Sequence, residues 1–138
     1  VTKLTGTKVF LDSSAWLGYF LGNISQSKKF IDSKETILFT SIISIHEIYK
    51  RLKKAGKTEK EIADSLSFIE NNSIIVNLNK EIAISAAENC EKHKLHTIDS
   101  LIYSSAMHLQ TEFVTADNDF KNMPKTTLLS LKYSKEHI

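Results

Sequence analysis

The chain has 138 residues, of which 41% are hydrophobic and 25% charged, with a net charge of +2; these are the proportions of a single globular domain, and they exclude a disordered or fibrous chain. No apolar run approaches the ~18 residues of a membrane span, and the N-terminus lacks the layout of a signal peptide, so a cytoplasmic protein with no membrane partner is expected. A chain of this size buries roughly 68–70% of its unfolded surface, enough for a core without disulfides, and the one cysteine, Cys90, is expected as a small core residue.

Residues 1–7 are polar and turn-like, a frayed end. An apolar run from Lys8 to Leu11 predicts the first strand, and it stops at Asp12. Ser13 or Ser14 can cap a helix carrying Trp16, Leu17 and Phe20, ended by Gly22-Asn23. A short helix over Ser25 to Asp32 leads to a second strand, Ile37 to Thr40. From Ser44 the period becomes helical, through Ile45, Ile48, Tyr49 and Leu52, until Gly56. Thr58 and Glu61 have the spacing of a capping box and open a helix through Ile62, Leu66 and Ile69, which Asn71-Asn72 breaks.

Ile74 to Val76 predicts a third strand, and Asn79 caps a helix with Ile82, Ala83, Ala86, Ala87 and Cys90 on its buried side. His93 to His96 turns into another helix, whose face is Ile98, Leu101, Ile102, Ser105, Ala106 and Leu109. Phe113 to Thr115 reads as a fourth strand, Asp117-Asn118-Asp119 as a turn, and Thr127 to Leu131 as a fifth strand after Pro124, the only proline. Strands alternating with helices in this way predict an α/β fold with a doubly wound parallel sheet, one domain over residues 1–138 with its core at about 8–131.

Five acids stand at the edges of these elements: Asp12, Glu47, Asp99, Asp117 and Asp119. In an open α/β sheet the carboxyl ends of the strands are where ligands bind, so the acids are expected to meet in one pocket. Two carboxylates ~4 Å apart repel by ~4 kcal/mol at an effective dielectric of 20, so converging acids must hold protons or share cations. Oxygen ligands favour Mg²⁺ or Mn²⁺, and such ions can activate water against a phosphodiester. Each acid taken alone has a plainer use: a helix cap for Asp12, an i,i+4 partner of Arg51 for Glu47, a first-turn dipole contact for Asp99, and turn chemistry for Asp117 and Asp119. Lys50, Arg51, Lys53, Lys54, Lys57 and Lys60 crowd into eleven residues beside one acid, Glu59; this is either a solvated helix face or a basic strip for a phosphate-bearing partner.

With these residues in view, the chain resembles the PIN domain family of nucleases and, within it, the small VapC-type toxins of toxin-antitoxin pairs. The resemblance rests on Leu-Asp12-Ser-Ser14 after the first strand, Ser41 and Ser44 leading into Glu47-Ile48, Asp99-Ser-Leu-Ile with a small-residue helix, and Val114-Thr115-Ala-Asp117-Asn-Asp119-Phe120. It implies a PIN-like three-layer sandwich with a five-stranded sheet ordered 3-2-1-4-5. It also implies Mg²⁺- or Mn²⁺-dependent RNA cleavage by Asp12, Glu47, Asp99 and Asp117, with Asp119 as a fifth metal ligand and Ser14 and Thr115 supporting the ligands by hydrogen bonds. A homodimer restrained by a small antitoxin is implied as well. RNA is expected on Lys50, Arg51, Lys53 and Lys54. With 17 lysines and a single arginine, substrate holding would rest on point charges more than on bidentate clamps.

Other readings fit less well. A haloacid-dehalogenase-like phosphatase needs a second acid two residues after the first, and that place is Ser14. An EF-hand needs a glycine and a closing glutamate that the Asp117 turn lacks. Two histidines, His93 and His96, without cysteine partners make a weak zinc site. A stand-alone RNA-processing nuclease and a non-catalytic RNA-binding module of the same fold remain as alternatives.

Overall fold

The computed structural model of the chain describes residues 6–130. Five parallel strands, β1 (Thr7–Leu11), β2 (Thr36–Ser41), β3 (Ile74–Val76), β4 (Glu112–Thr115) and β5 (Thr126–Leu128), form one sheet in the order β3-β2-β1-β4-β5. This is the expected order. The chain winds outward in one direction from β1 through β2 to β3, and in the other through β4 to β5. The gap between the carboxyl ends of β1 and β4 is therefore the topological switch point, where loops on either side part and leave a crevice.

Alternation along the central strands sets the two helical layers. Val9 and Leu11 of β1, Leu38 of β2 and Val114 of β4 face one side, and Phe10, Phe39 and Phe113 face the other. Both faces are apolar, as a sheet covered on both sides requires. The first side is covered by α1 (Ser13–Leu21), α2 (Gln26–Ile31), α3 (Ile42–Lys54) and α4 (Glu59–Asn72). On the second, α6 (Thr97–His108) brings Ile102, Tyr103 and Ala106 onto the phenylalanines, and α5 (Lys80–His93) packs against α6. Trp16 is fully buried, and its indole N–H donates to Thr40 Oγ1 at 3.0 Å. A large apolar ring with its one polar atom satisfied anchors α1 over the sheet.

Several boundaries follow local chemistry that periodicity does not reveal. The capping box at Thr58 and Glu61 forms as expected, and so does the Asn79 cap on Ile82 N–H. In contrast, α3 begins at Ile42, two residues before the helical period shows, because the Ser41 hydroxyl accepts from Ile43 N–H. The early start leaves Ile42 40% exposed, outside the apolar stripe. Neither Ser13 nor Ser14 caps α1; Asp12 holds the cap position and makes no capping bond, since its carboxylate is engaged elsewhere.

The buried side of α5 is narrower than expected. Ile82 and Ala86 are buried, Ala83 and Ala87 are exposed, and Cys90 is only half-buried, because α5 packs chiefly on α6. Ile98 sits 45% exposed on the first turn of α6. The fifth strand ends at Leu128, before the expected Leu131; Leu131 and the tail 132–138 lie outside the described residues, as do residues 1–5. No described helix is long and apolar enough to cross a membrane.

Candidate active site

Asp12 follows the last residue of β1, and its backbone N–H donates to Val114 O of β4 at 2.9 Å. The acid is thereby fixed between the two central strands, at the switch point. Its Oδ2 accepts from Thr115 Oγ1 at 2.7 Å and from Ser14 Oγ at 2.9 Å. The same two hydroxyls accept in turn, Ser14 from Ala116 N–H at 2.8 Å and Thr115 from Asp117 N–H at 3.0 Å. A closed set of bonds thus ties the start of α1 to the loop after β4, with both Ser14 and Thr115 on the Asp12 carboxylate. Asp12 is only 4% exposed, and burial pushes its carboxyl up to about 6 despite the two hydroxyl bonds, which favour the ionised form.

The other acids arrive from three further elements. Glu47 lies on α3, where Ser13 Oγ of α1 donates to its Oε1. Asp99 lies in the first turn of α6, and Asp117 follows β4, where its Oδ1 accepts from Asp119 N–H at 2.9 Å and caps a single 3₁₀ turn over Asn118–Phe120. Asp99 is half-buried and its carboxyl is raised to about 6, first by burial and then by the charges of Asp117, Asp12, Glu47 and Asp119. All four of the other acids are thus near enough to penalise its ionisation. One oxygen from each of Asp99, Asp117 and Asp119 lies within 4.8 Å of the others.

Asp12, Glu47, Asp99 and Asp117 line a cleft of about 550 Å³, whose wall continues over Leu17, Gly18 and Ile24 to Arg51 and Lys54. The donor set is all carboxylate oxygen, the chemistry of a hard divalent cation such as Mg²⁺ or Mn²⁺. The Asp12 and Asp99 carboxyls are raised first by burial, and the neighbouring acids add to the effect. No ion pair joins Glu47 to Arg51 among the described residues. The histidines join no group of potential metal ligands there either.

The basic strip divides. Arg51 and Lys54 line the cleft, whereas Lys53 turns away, with its ammonium 3.1 Å from Glu59 Oε1 and 5.8 Å from the centre of the Tyr49 ring. Lys50 is exposed and lies outside the cleft wall. Residues 51 and 54 are one helical turn apart on α3 and residue 47 is four before 51, so helical phase places these two cations on the face of Glu47. The same phase sets Lys53 apart, but Lys50, three residues after Glu47 and four before Lys54, shares their face, so its place outside the cleft wall is decided by the tertiary structure. Ser13 and Ser14, either of which the sequence offers as a cap of α1, are both spent elsewhere, Ser14 on Asp12 and Ser13 on Glu47.

The PIN domain family pattern matches residues 9–126. Among curated proteins none matches the sequence significantly. Solved structures do. A toxin-antitoxin complex from Klebsiella pneumoniae aligns at 20% identity and a TM-score of 0.71, covering 86% of this chain and 95% of that one. VapC20 from Mycobacterium tuberculosis, described as a sarcin-ricin loop cleaving toxin, aligns at 15% identity and 0.68, covering 84% and 95%. VapBC2 from Rickettsia felis, bound to a DNA fragment from its promoter, aligns at 17% identity and 0.73, covering 90% and 100%. At these identities the structures speak to the fold, and it is the fold that the sheet order had already defined. With the family pattern running from β1 into β5 and the acids gathered at the switch point, the chain belongs to the PIN domain family.

Proposed function

We propose that this protein is a divalent-metal-dependent endoribonuclease that hydrolyses RNA phosphodiester bonds, and that it is the toxin of a toxin-antitoxin pair. The observation that carries the nuclease reading is the convergence of Asp12, Glu47, Asp99 and Asp117 on one cleft, with two of the four held near pKa 6 by burial and mutual repulsion. These four and Asp119 would hold Mg²⁺ or Mn²⁺. Held there, such an ion would supply activation of a water molecule and stabilisation of charge on a departing 3′ oxygen.

The remaining tasks fall to the chain's own groups. Ser14 and Thr115 both bond Oδ2 of Asp12 and so hold its carboxylate in a set orientation. Arg51 and Lys54, on the cleft wall, supply positive charge for the phosphates that flank the scissile bond. Lys53, neutralised by Glu59, contributes little to that field. The toxin assignment is supported by structural neighbours described as a toxin-antitoxin complex and as a sarcin-ricin loop cleaving toxin. A homodimer, a small antitoxin partner and a cytoplasmic location belong to the same reading.

The test is cleavage of a structured RNA by the purified chain with and without Mn²⁺, alongside Asp12→Asn and Asp99→Asn. Cleavage should need the ion and vanish in both variants, while circular dichroism shows them folded. Undiminished cleavage by both folded variants refutes the nuclease mechanism. Arrest of growth on expression of the chain alone, absent in Asp12→Asn, tests the toxin assignment; normal growth under wild-type expression counts against it.

A further inference from the structure

We infer that Ser13 is a positioning residue for the metal centre: its hydroxyl holds the Glu47 carboxylate in the cleft when no cation is there to attract it. The inference rests on the metal-dependent reading of the site and assigns a task to a residue that the reading leaves idle. Ser13 is the first residue of α1, next to Asp12, and 1% exposed. Its Oγ donates to Glu47 Oε1 across the seam between α1 and α3, and Ser44 Oγ, 3.5 Å away, is its other side-chain contact. Ser44 is fully buried, one helical turn before Glu47, so the three groups form a short polar line in an otherwise apolar seam.

A buried hydroxyl costs free energy unless it is bonded, and alanine would fill a helix–helix seam without that cost. The hydroxyl at position 13 therefore needs a reason beyond packing, and Glu47 supplies one. Glutamate is long and rotamer-rich, and the charges of Asp12 and Asp99 push its carboxylate outward, toward water. Of the acids in the cleft, Asp12 is held by Ser14 and Thr115, and Asp117 by its own turn. Glu47 sits on a helix face, and its one side-chain hydrogen bond among the described residues is the one from Ser13. Without that bond the ion would have to gather the side chain from an ensemble of rotamers, at a cost in affinity.

The experiment measures Mn²⁺ binding to the intact chain by electron paramagnetic resonance of the free ion, in wild type, Ser13→Ala, Ser13→Thr, Glu47→Ala and the Ser13→Ala/Glu47→Ala double variant, each shown folded by its melting curve. Removing an outer partner of a metal ligand typically weakens binding 10- to 100-fold, so Ser13→Ala should raise the Mn²⁺ Kd by about 10-fold or more. Ser13→Thr keeps the hydroxyl and should restore most of the loss. In the Glu47→Ala background, Ser13→Ala should change Kd by less than about twofold, since its route of action is gone. A wild-type Kd in Ser13→Ala, or an equal loss with and without Glu47, overturns the inference. Failure of the wider reading looks different: there wild type would bind no Mn²⁺, or Glu47→Ala would bind as tightly as wild type.

Discussion

Asp12→Asn should stabilise the metal-free protein while destroying its proposed activity, and the size of the gain follows from the site. Asp12 titrates at about 6 in the fold against 3.8 unperturbed, with burial the largest cause. The folded state therefore binds the proton more tightly than the unfolded chain, so Asp12 lowers stability as pH rises from about 4 to about 6, and the loss is complete above that. Two pK units correspond to about 3 kcal/mol at pH 7.5. Asparagine removes the charge and keeps the shape: its carboxamide oxygen can accept from Ser14 and Thr115 in place of Oδ2, with the NH₂ group turned to the remaining acids.

The melting temperature of metal-free Asp12→Asn should thus exceed that of wild type by roughly 10 °C at pH 7.5 for a domain of this size, and the gap should close near pH 4. Differential scanning calorimetry in chelator reads both. Adding Mn²⁺ at 100 times its Kd gives wild type about 2.7 kcal/mol that the variant cannot gain in full, so the order narrows or inverts. A variant less stable than wild type at pH 7.5, or a gap unchanged down to pH 4, would show that charge burial does not govern this site.

Three further outcomes follow from the geometry. Arg51→Ala and Lys54→Ala should each weaken binding of a single-stranded RNA and lower the slope of log Kd against log salt by about 0.7, whereas Lys53→Ala, already paired with Glu59, should leave the slope within error; fluorescence anisotropy across a salt series distinguishes them. Ser14→Ala leaves the Ala116 N–H without its partner and should cost about 1–3 kcal/mol in denaturant unfolding; a loss below 0.5 kcal/mol would mean that water replaces the hydroxyl. Thr58→Ala removes the capping box of α4, a helix that contributes no residue to the cleft wall, and should cost about 0.5–2 kcal/mol with Mn²⁺ affinity unchanged.

The acids show where sequence reading succeeds and where it stops. Asp12 was legible because an apolar run ends at it, and Asp117 because a strand and a turn residue precede it; both are local signals. That Asp99 feels the charge of the other four acids is not local, since α6 reaches the cleft only through its packing on the far face of the sheet. The division of the basic strip was half legible. Helical phase groups Arg51 and Lys54 with Glu47, but the capture of Lys53 depends on where α4 begins and how Glu59 is turned. The task of Ser13 was hidden for the same reason: a hydroxyl at a helix start has a local use, and only the placement of α3 against α1 shows that it is spent on Glu47.

By itself the sequence determined the alternation of strands and helices, the capping box at Thr58, the Asn79 cap and the family resemblance, because periodicity, turn chemistry and motif spacing act over a few residues each. The tertiary structure decided which side chains share a cleft, which cations face it and which hydroxyls hold which acids. The bonds that cross between elements, Ser13 to Glu47 and Thr115 to Asp12, join residues 34 and 103 positions apart. Their geometry is set by the packing of α1 and α3 on one face of the sheet and α6 on the other, and long-range packing leaves no periodic trace in the order of residues.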